Sequence, residues 1–268
     1  MIDCHVHTAR CGHGEGSAAE YVAAARAKGI GVLTFTEHLP LPESLDPCRE
    51  YSMAEHELPA YLHEIGVLAS ASQTAPARPT VLTGIEADWL PSHLPHVERL
   101  LSAFSFDLVL GSVHFLEGWA FDDPRLMQQW DRADVDAVWE QYFGLLVDAA
   151  RSGLFDAMAH PDLVKKFGYR PTFDPRELYE AAAGAFAATG TAVELSTAGL
   201  RKPVGELYPS MEFLTACARA GVPATLGSDA HRPDEVGAGF EMAREALEAV
   251  GYDRLVYFVG RERREYAL

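Results

Sequence analysis

Three histidines, His5, His7 and His13, stand within the first thirteen residues, two of them inside the apolar opening MIDCHVH. Imidazole fills a buried strand poorly, so these rings are either hydrogen-bonded core residues or ligands. On a strand, side chains two residues apart share a side, with backbones roughly 6.6 Å apart, a spacing that suits two ligands of one metal ion. The motif alone is weak. The ends of the later apolar runs strengthen it: Thr36-Glu37-His38, Gly84-Ile85-Glu86, Ser112-Val113-His114, Ala159-His160-Pro161-Asp162 and Ser228-Asp229-Ala230-His231. Each offers a histidine or carboxylate at the same relative position.

If these runs are parallel strands, the side chains meet at one mouth, and His13 folds back to it from the loop after the first strand. The set is His5, His7, His13, His38, Glu86, His114, His160, Asp229 and His231. It holds seven of the eleven histidines; His56, His63, His93 and His96 fall in segments that read as surface helices or turns. Burying so many imidazoles and carboxylates without a cation is costly. Nitrogen and oxygen donors without thiolate suit zinc, iron or manganese. Nine donors exceed the demand of one ion, and a carboxylate such as Glu86 can bridge two, so two or three divalent ions are expected. Sites of that kind activate water and clamp phosphoryl or carbonyl oxygens.

The elements that must position these residues follow from the pattern. Strands are expected at Ile2–Val6, Gly31–Thr36, Val81–Glu86, Asp107–Val113, Asp156–Ala159, Thr191–Leu195 and Ala224–Gly227, with a final Leu255–Val259. Between them lie amphipathic stretches. Ser17-Ala-Ala-Glu20 is a capping box for a helix that Gly29 closes; Asp174-Pro175-Arg-Glu177 opens another, and Pro233 a last one before Gly251. Such alternation predicts parallel strands with crossover helices. Seven units point to an α/β fold closed or nearly closed into a TIM-like (β/α)7 barrel rather than an open sheet, an alternative that the pattern alone leaves open, with the metal site at the C-terminal ends of its strands. The long connections Leu39–Met53, His114–Asp131, Leu163–Phe173 and Thr197–Pro209 all follow strand ends, on the face where barrels build active sites. Ala69–Thr80 reads as a surface connection, not a boundary, so residues 1–268 are expected to form a single domain.

Thirty-nine acidic residues against 22 basic ones give a net charge of −17, which repels long nucleic acid and anionic membranes. No apolar run reaches the roughly 18 residues of a membrane span, and no basic-then-apolar leader opens the chain. Cys4, Cys11, Cys48 and Cys217 form no C-x-x-C pair; reduced thiols in a cytoplasmic protein are expected. An anionic substrate would be repelled too, unless bound cations reverse the sign locally, as three divalent ions would.

H-x-H with a histidine six residues on, then T-E-H, G-I-E, S-V-H, A-H-P-D and S-D-A-H in that order, resembles the polymerase and histidinol phosphatase (PHP) superfamily. The segments LVKKFG and STAGLRKPVGELYPS resemble its histidinol-phosphate phosphatase branch. One departure is Ser196, where related sequences often carry asparagine; it is not expected to touch a metal. The resemblance implies a distorted seven-stranded barrel with three metals. His5, His7 and Asp229 would hold the first ion, Glu86 would bridge to a second completed by His114 and His160, and His13, His38 and His231 would hold the third.

It further implies hydrolysis of L-histidinol phosphate to L-histidinol and phosphate in histidine biosynthesis, by in-line attack of a metal-bridging hydroxide. Asp229, His231 and Arg201 are the expected catalytic residues. Arg201, in the loop after the sixth strand, suits bidentate phosphate contact; Lys165, Lys166 or Arg170 would assist, whereas Lys202 reads as solvated. Asp88 either orients a ligand histidine or bonds within the barrel. Asp162 would brace a ligand or meet a cationic group, and Tyr208 reads as a packed aromatic. The alternative substrate is a nucleotide or oligonucleotide end, against which the acidic surface weighs. A homodimer is compatible with the sequence.

Overall fold

The structure is a computed structural model that describes residues 1–73 and 79–268. The strands are β1 (Ile2–Val6), β2 (Val32–Phe35), β3 (Thr80–Asp88), β4 (Leu108–Ser112), the short hairpin β5 (Phe115–Leu116) and β6 (Trp119–Ala120), β7 (Ala157–Met158), β8 (Ala192–Ser196), β9 (Ala224–Gly227), β10 (Arg254–Val259) and β11 (Glu262–Ala267). Seven of them form one parallel sheet in the order β1-β2-β3-β4-β7-β8-β9. Runs such as Leu108–Ser112 are buried on both faces, as parallel strands covered by helices require.

The two outer strands approach each other. The amide of His7 donates to the carbonyl of Ala230 at 2.8 Å, and Val6 bridges Ala230 in parallel. The sheet is therefore nearly closed, the barrel that the strand–helix alternation predicts. Around it lie α1 (Ala18–Ala27), α2 (Leu58–Gln73), α3 (Leu94–Ala103), α4 (Val135–Arg151), α5 (Arg176–Thr189), α6 (Met211–Arg219) and α7 (Phe240–Val250). Their apolar faces and the outward faces of the strands form one core, with Trp139, Tyr142, Phe143, Phe186 and Phe213 fully buried.

The expected capping box forms: Ser17 and Glu20 bond reciprocally at the start of α1. Two expectations need correction. Pro233 opens only a three-residue turn; the chain bends through Gly237 and Gly239, both at positive φ, before α7 starts at Phe240. In the expected connection Ala69–Thr80, Ala69–Gln73 continue α2 and Thr80 begins β3, while residues 74–78 lie outside those described. The last expected strand, Leu255–Val259, forms within β10, outside the seven-stranded barrel. It pairs antiparallel with β11, whose charged sequence ERREYA carries no apolar alternation by which to recognise a strand. Its turn is tied to the residues preceding β4 and β7: Gly260 donates to Asp107 and Arg261 contacts Asp156. The hairpin thus packs at the end of the barrel opposite the C-terminal strand ends.

Candidate metal centre

At those C-terminal ends the nine expected side chains come together. Glu86, at the seventh position of β3, is their hub and is 1% exposed. Its Oε2 lies 3.3 Å from Nε2 of His5, 3.4 Å from Nε2 of His7 and 3.0 Å from Nδ1 of His38. Its Oε1 lies 2.9 Å from Nε2 of His160 and 3.7 Å from Nε2 of His114. Asp229 Oδ1 stands 3.7 Å from Nε2 of His5, 3.5 Å from Nε2 of His7 and 3.5 Å from Nδ1 of His231. His13, at the exposed rim, places Nε2 3.0 Å from Nε2 of His231. None of His56, His63, His93 and His96 joins them; His93 and His96 bond locally to Ser44 and Pro40.

Local structure explains the convergence. Parallel register sets His38 beside Glu86, with the amide of Leu39 bonded to the Glu86 carbonyl. After β1 the chain makes a short helical turn capped by Thr8, which carries His13 back over the mouth. His160 and Asp229 adopt positive φ, +28° and +48°, conformations that L-residues hold only when their surroundings impose them.

The protonation pattern tests whether the set suits cations. A carboxylate or carbonyl oxygen only accepts, so Nδ1 of His5 donates to Glu194, Nδ1 of His114 to Asp88, Nδ1 of His13 to the Cys11 carbonyl and Nδ1 of His231 to the Asp229 carbonyl. Each ring thereby presents Nε2 to the centre. For His13 and His231 this leaves two bare nitrogens facing each other, an arrangement that a shared cation relieves. Oε2 of Glu86 is buried without a hydrogen-bond partner among the described residues. Among the triads whose donor atoms lie within 4.8 Å of one another are His5, His7 and Asp229; His5, Glu86 and His160; and His7, His38 and His231, while two others, Cys11 with His13 and His231 and Cys11 with His7 and Glu37, add a thiol. The donor set fits several divalent ions.

Electrostatics points the same way. Burial drives His7 well below the usual imidazole range, and His38 and His231 add to it. Burial likewise lowers His13 to about 4. Burial lowers His231 to about 3, against the opposing pull of Asp229. These rings stay neutral and ready to ligate. For His5 burial also lowers the value, but Glu194, Glu86 and Asp229 together outweigh it and raise it well above normal. The carboxylates therefore call for positive charge at the centre.

A cavity of about 640 Å³ opens onto this cluster. Lys166 and Lys202 stand in its wall. Lys166 pairs with Asp122 at 2.9 Å. Lys202 is half-buried, has no ion-pair partner among the described residues, and is lowered by burial, which corrects its reading as solvated. The other expected phosphate contacts sit elsewhere. Lys165 is fully buried with its ammonium on Asp162 and the Leu207 carbonyl, at 2.8 and 2.7 Å. Arg170 pairs with Glu206 on the surface. Arg201 lies beside the cavity: its Nη2 donates to the carbonyls of Ser228 and Asp229 at 2.7 and 3.2 Å, its Nε faces Glu235 at 3.4 Å, and its Nη1 is buried with no hydrogen-bond partner among the described residues. Arg201 therefore braces the turn that carries Asp229. Lys165 and Lys166 fall in one short helical turn, where neighbouring side chains diverge, and sequence gives no means of choosing between them.

Of the two readings of Asp88, the orienting one holds: its Oδ1 accepts from His114 Nδ1 at 3.0 Å. Asp162 does neither thing expected of it, holding Lys165 and the Ser210 amide instead. Tyr208 is packed, as expected, yet it also lines the cavity. Sequence reasoning missed Glu194, Asp3 and Glu37, all fully buried beside the cluster. Asp3 accepts from Ser228 and Gly237, yet burial pushes it up to about 6. Glu37 accepts both the hydroxyl and the amide of Thr8, and burial pushes it up to about 7. The signal was present as a carboxylate inside each apolar run, IDC, TFTEH and AVELS.

The PHP domain family model matches residues 3–198. A protein from Deinococcus radiodurans named as a probable histidinol-phosphatase is 41% identical over 252 residues, 94% of each chain. The histidinol-phosphatase of Bacillus subtilis is 29% identical, covering 89% of this chain and 96% of its own. Among solved structures, histidinol phosphate phosphatase from Lactococcus lactis, complexed with zinc, L-histidinol and phosphate, superposes with a TM-score of 0.82 over 98% of both chains at 21% identity.

Proposed function

The chain belongs to the PHP domain family, and from that premise we propose that it is a metal-dependent phosphomonoesterase that hydrolyses L-histidinol phosphate to L-histidinol and phosphate. One observation carries the reading: seven imidazoles and two carboxylates meet at the floor of a cavity whose wall also includes Lys166 and Lys202.

His5, His7, His13, His38, Glu86, His114, His160, Asp229 and His231 would hold the ions, with Glu86 placed to be shared. Bound there, divalent ions neutralise phosphate charge and lower the pKa of water, and phosphoryl transfer needs little beyond that and positioning. Lys202 and Lys166 draw the phosphate inward against the protein's overall negative charge. Glu50 and Asp123, in the same wall, pair with Arg125, and Asp122 with Lys166, while Phe115 and Phe167 offer apolar faces to the imidazole of histidinol. Glu194 and Asp88 keep His5 and His114 turned inward. Arg201 acts through the Asp229 turn.

No helix among the described residues is long and apolar enough to cross a membrane. A cytoplasmic biosynthetic enzyme, one domain over residues 1–268, completes the reading; limited proteolysis tests the domain and sedimentation tests for a homodimer. Phosphate release from L-histidinol phosphate, adenosine monophosphate and single-stranded DNA tests the substrate. Preference for histidinol phosphate supports the reading, and preference for either nucleotide substrate overturns it.

A further inference from the structure

Tyr208 lines the catalytic cavity, its side chain is fully buried, and its hydroxyl has no hydrogen-bond partner among the described residues. A buried phenol left without a partner is costly, and an unpartnered group at a cavity wall marks the place of a missing ligand atom. The ring is held from several directions. Its backbone amide and carbonyl pair with Ser196 at the end of β8, at 3.0 and 2.6 Å. The Lys165 ammonium sits 5.4 Å from the ring centroid, itself fixed by Asp162. On another side lies Gly199: a Cβ there would overlap the Glu206 carbonyl oxygen and stand 3.0 Å from Cε2 and Cζ of the ring, so the backbone of this loop packs closely on the phenol.

The ring also meets His160 edge-on, with centroids 6.5 Å apart. A phenol is protonated at neutral pH, so its hydroxyl has a proton to donate. The cluster beside it and the two lysines in the same wall select an anionic group there.

We propose that the Tyr208 hydroxyl donates a hydrogen bond to the phosphoryl group of the substrate, which makes Tyr208 a further catalytic residue of the site. The proposal rests on the phosphomonoesterase reading.

The test compares wild type with Tyr208→Phe, both metal-replete. Metal content is measured, with thermal midpoint, kcat/KM for L-histidinol phosphate, and inhibition by orthophosphate and by L-histidinol. Metal content should stay the same. The midpoint should hold or rise, because the change removes an unpaired buried hydroxyl. Orthophosphate should inhibit about 10-fold less well and kcat/KM should fall about 10- to 100-fold, the loss of a hydrogen bond to a charged group. Inhibition by L-histidinol should not change.

Orthophosphate inhibition and kcat/KM within twofold of wild type would overturn the proposal. So would a lower midpoint or lost metal, which would make the hydroxyl structural, or weakened L-histidinol inhibition alone, which would place the contact on the alcohol half. A wild type that hydrolyses other phosphomonoesters but not histidinol phosphate sinks the substrate reading instead. The orthophosphate comparison then still decides Tyr208.

Discussion

Nδ1 of His5 donates to Oε1 of Glu194 across 2.8 Å, while Oε2 of the same carboxylate accepts the backbone amide of His160 across 2.7 Å. One fully buried side chain on β8 thus fixes two members of the cluster, on β1 and after β7. It sets the tautomer of His5 and pins the positive-φ residue His160 in place.

Glu194→Gln cannot accept at both ends, since one terminus of the amide is a donor. Affinity for divalent metal, measured by competition with a chelator, should fall about 10- to 100-fold while the fold persists. Unchanged affinity would remove Glu194 from the support of the site.

Gly227, the last residue of β9, packs where this pair crosses the barrel. A Cβ there would overlap the Glu194 carboxylate and lie 2.5 Å from Cβ of His5. Gly227→Ala should cost about 1–3 kcal/mol in urea unfolding, as overpacking of a filled core does, and should weaken metal binding. A variant as stable as wild type would show that the barrel has slack at this point.

Lys165, expected from sequence to assist the phosphate, and Lys202, expected to be solvated, should exchange those parts. Lys165→Met leaves Asp162 buried without its partner and should destabilise the protein by about 3 kcal/mol. Lys202→Met should leave stability close to wild type and raise KM for the phosphate ester about 10-fold. Equal effects of the two changes on KM would contradict the assignment.

The Asp122–Lys166 pair gives a pH signature. Burial pushes the Asp122 carboxyl up, but the charges of Lys166 and His114 together outweigh it and hold it at about 2, below its ordinary 3.8. A depressed carboxyl stabilises the fold above its unfolded value and loses that contribution as pH falls through the folded one. Wild type should therefore exceed Asp122→Asn by about 2 kcal/mol above pH ~4, with the gap closing between pH ~4 and ~2. A gap that stays constant over that range would mean the charge of Asp122 contributes nothing.

The barrel and the cluster were largely legible in the sequence because both rest on short-range pattern. Apolar runs that end in His, Glu or Asp name the strands and the ligands at once: Gly84-Ile85-Glu86 sits where its run says it must. What remained hidden depends on direction in space. The spacing of Lys165 and Lys166 does not reveal which one turns into the core. Nor does AGLRKP reveal that Arg201 folds onto the Ser228 carbonyl while Lys202 enters the cavity. Glu194 and Asp3 were visible as carboxylates within apolar strands, and the alternation of β8 puts Glu194 on the face opposite Val193 and Leu195. The pattern of strand ends that names the ligands carries no mark for carboxylates further down the barrel. β11 escaped because its residues are chosen for solvent and pair only with β10.

The central claim is that the side chains gathered around Glu86 hold the cations on which turnover depends. The direct test measures metal per chain in the purified protein together with phosphate release from L-histidinol phosphate, before and after chelation, with His160→Ala alongside. Bound divalent metal should be found. Chelation should remove metal and rate together, added zinc or manganese should restore both, and His160→Ala should lose most of each. Protein stripped of metal that still releases phosphate at the full rate would contradict the account.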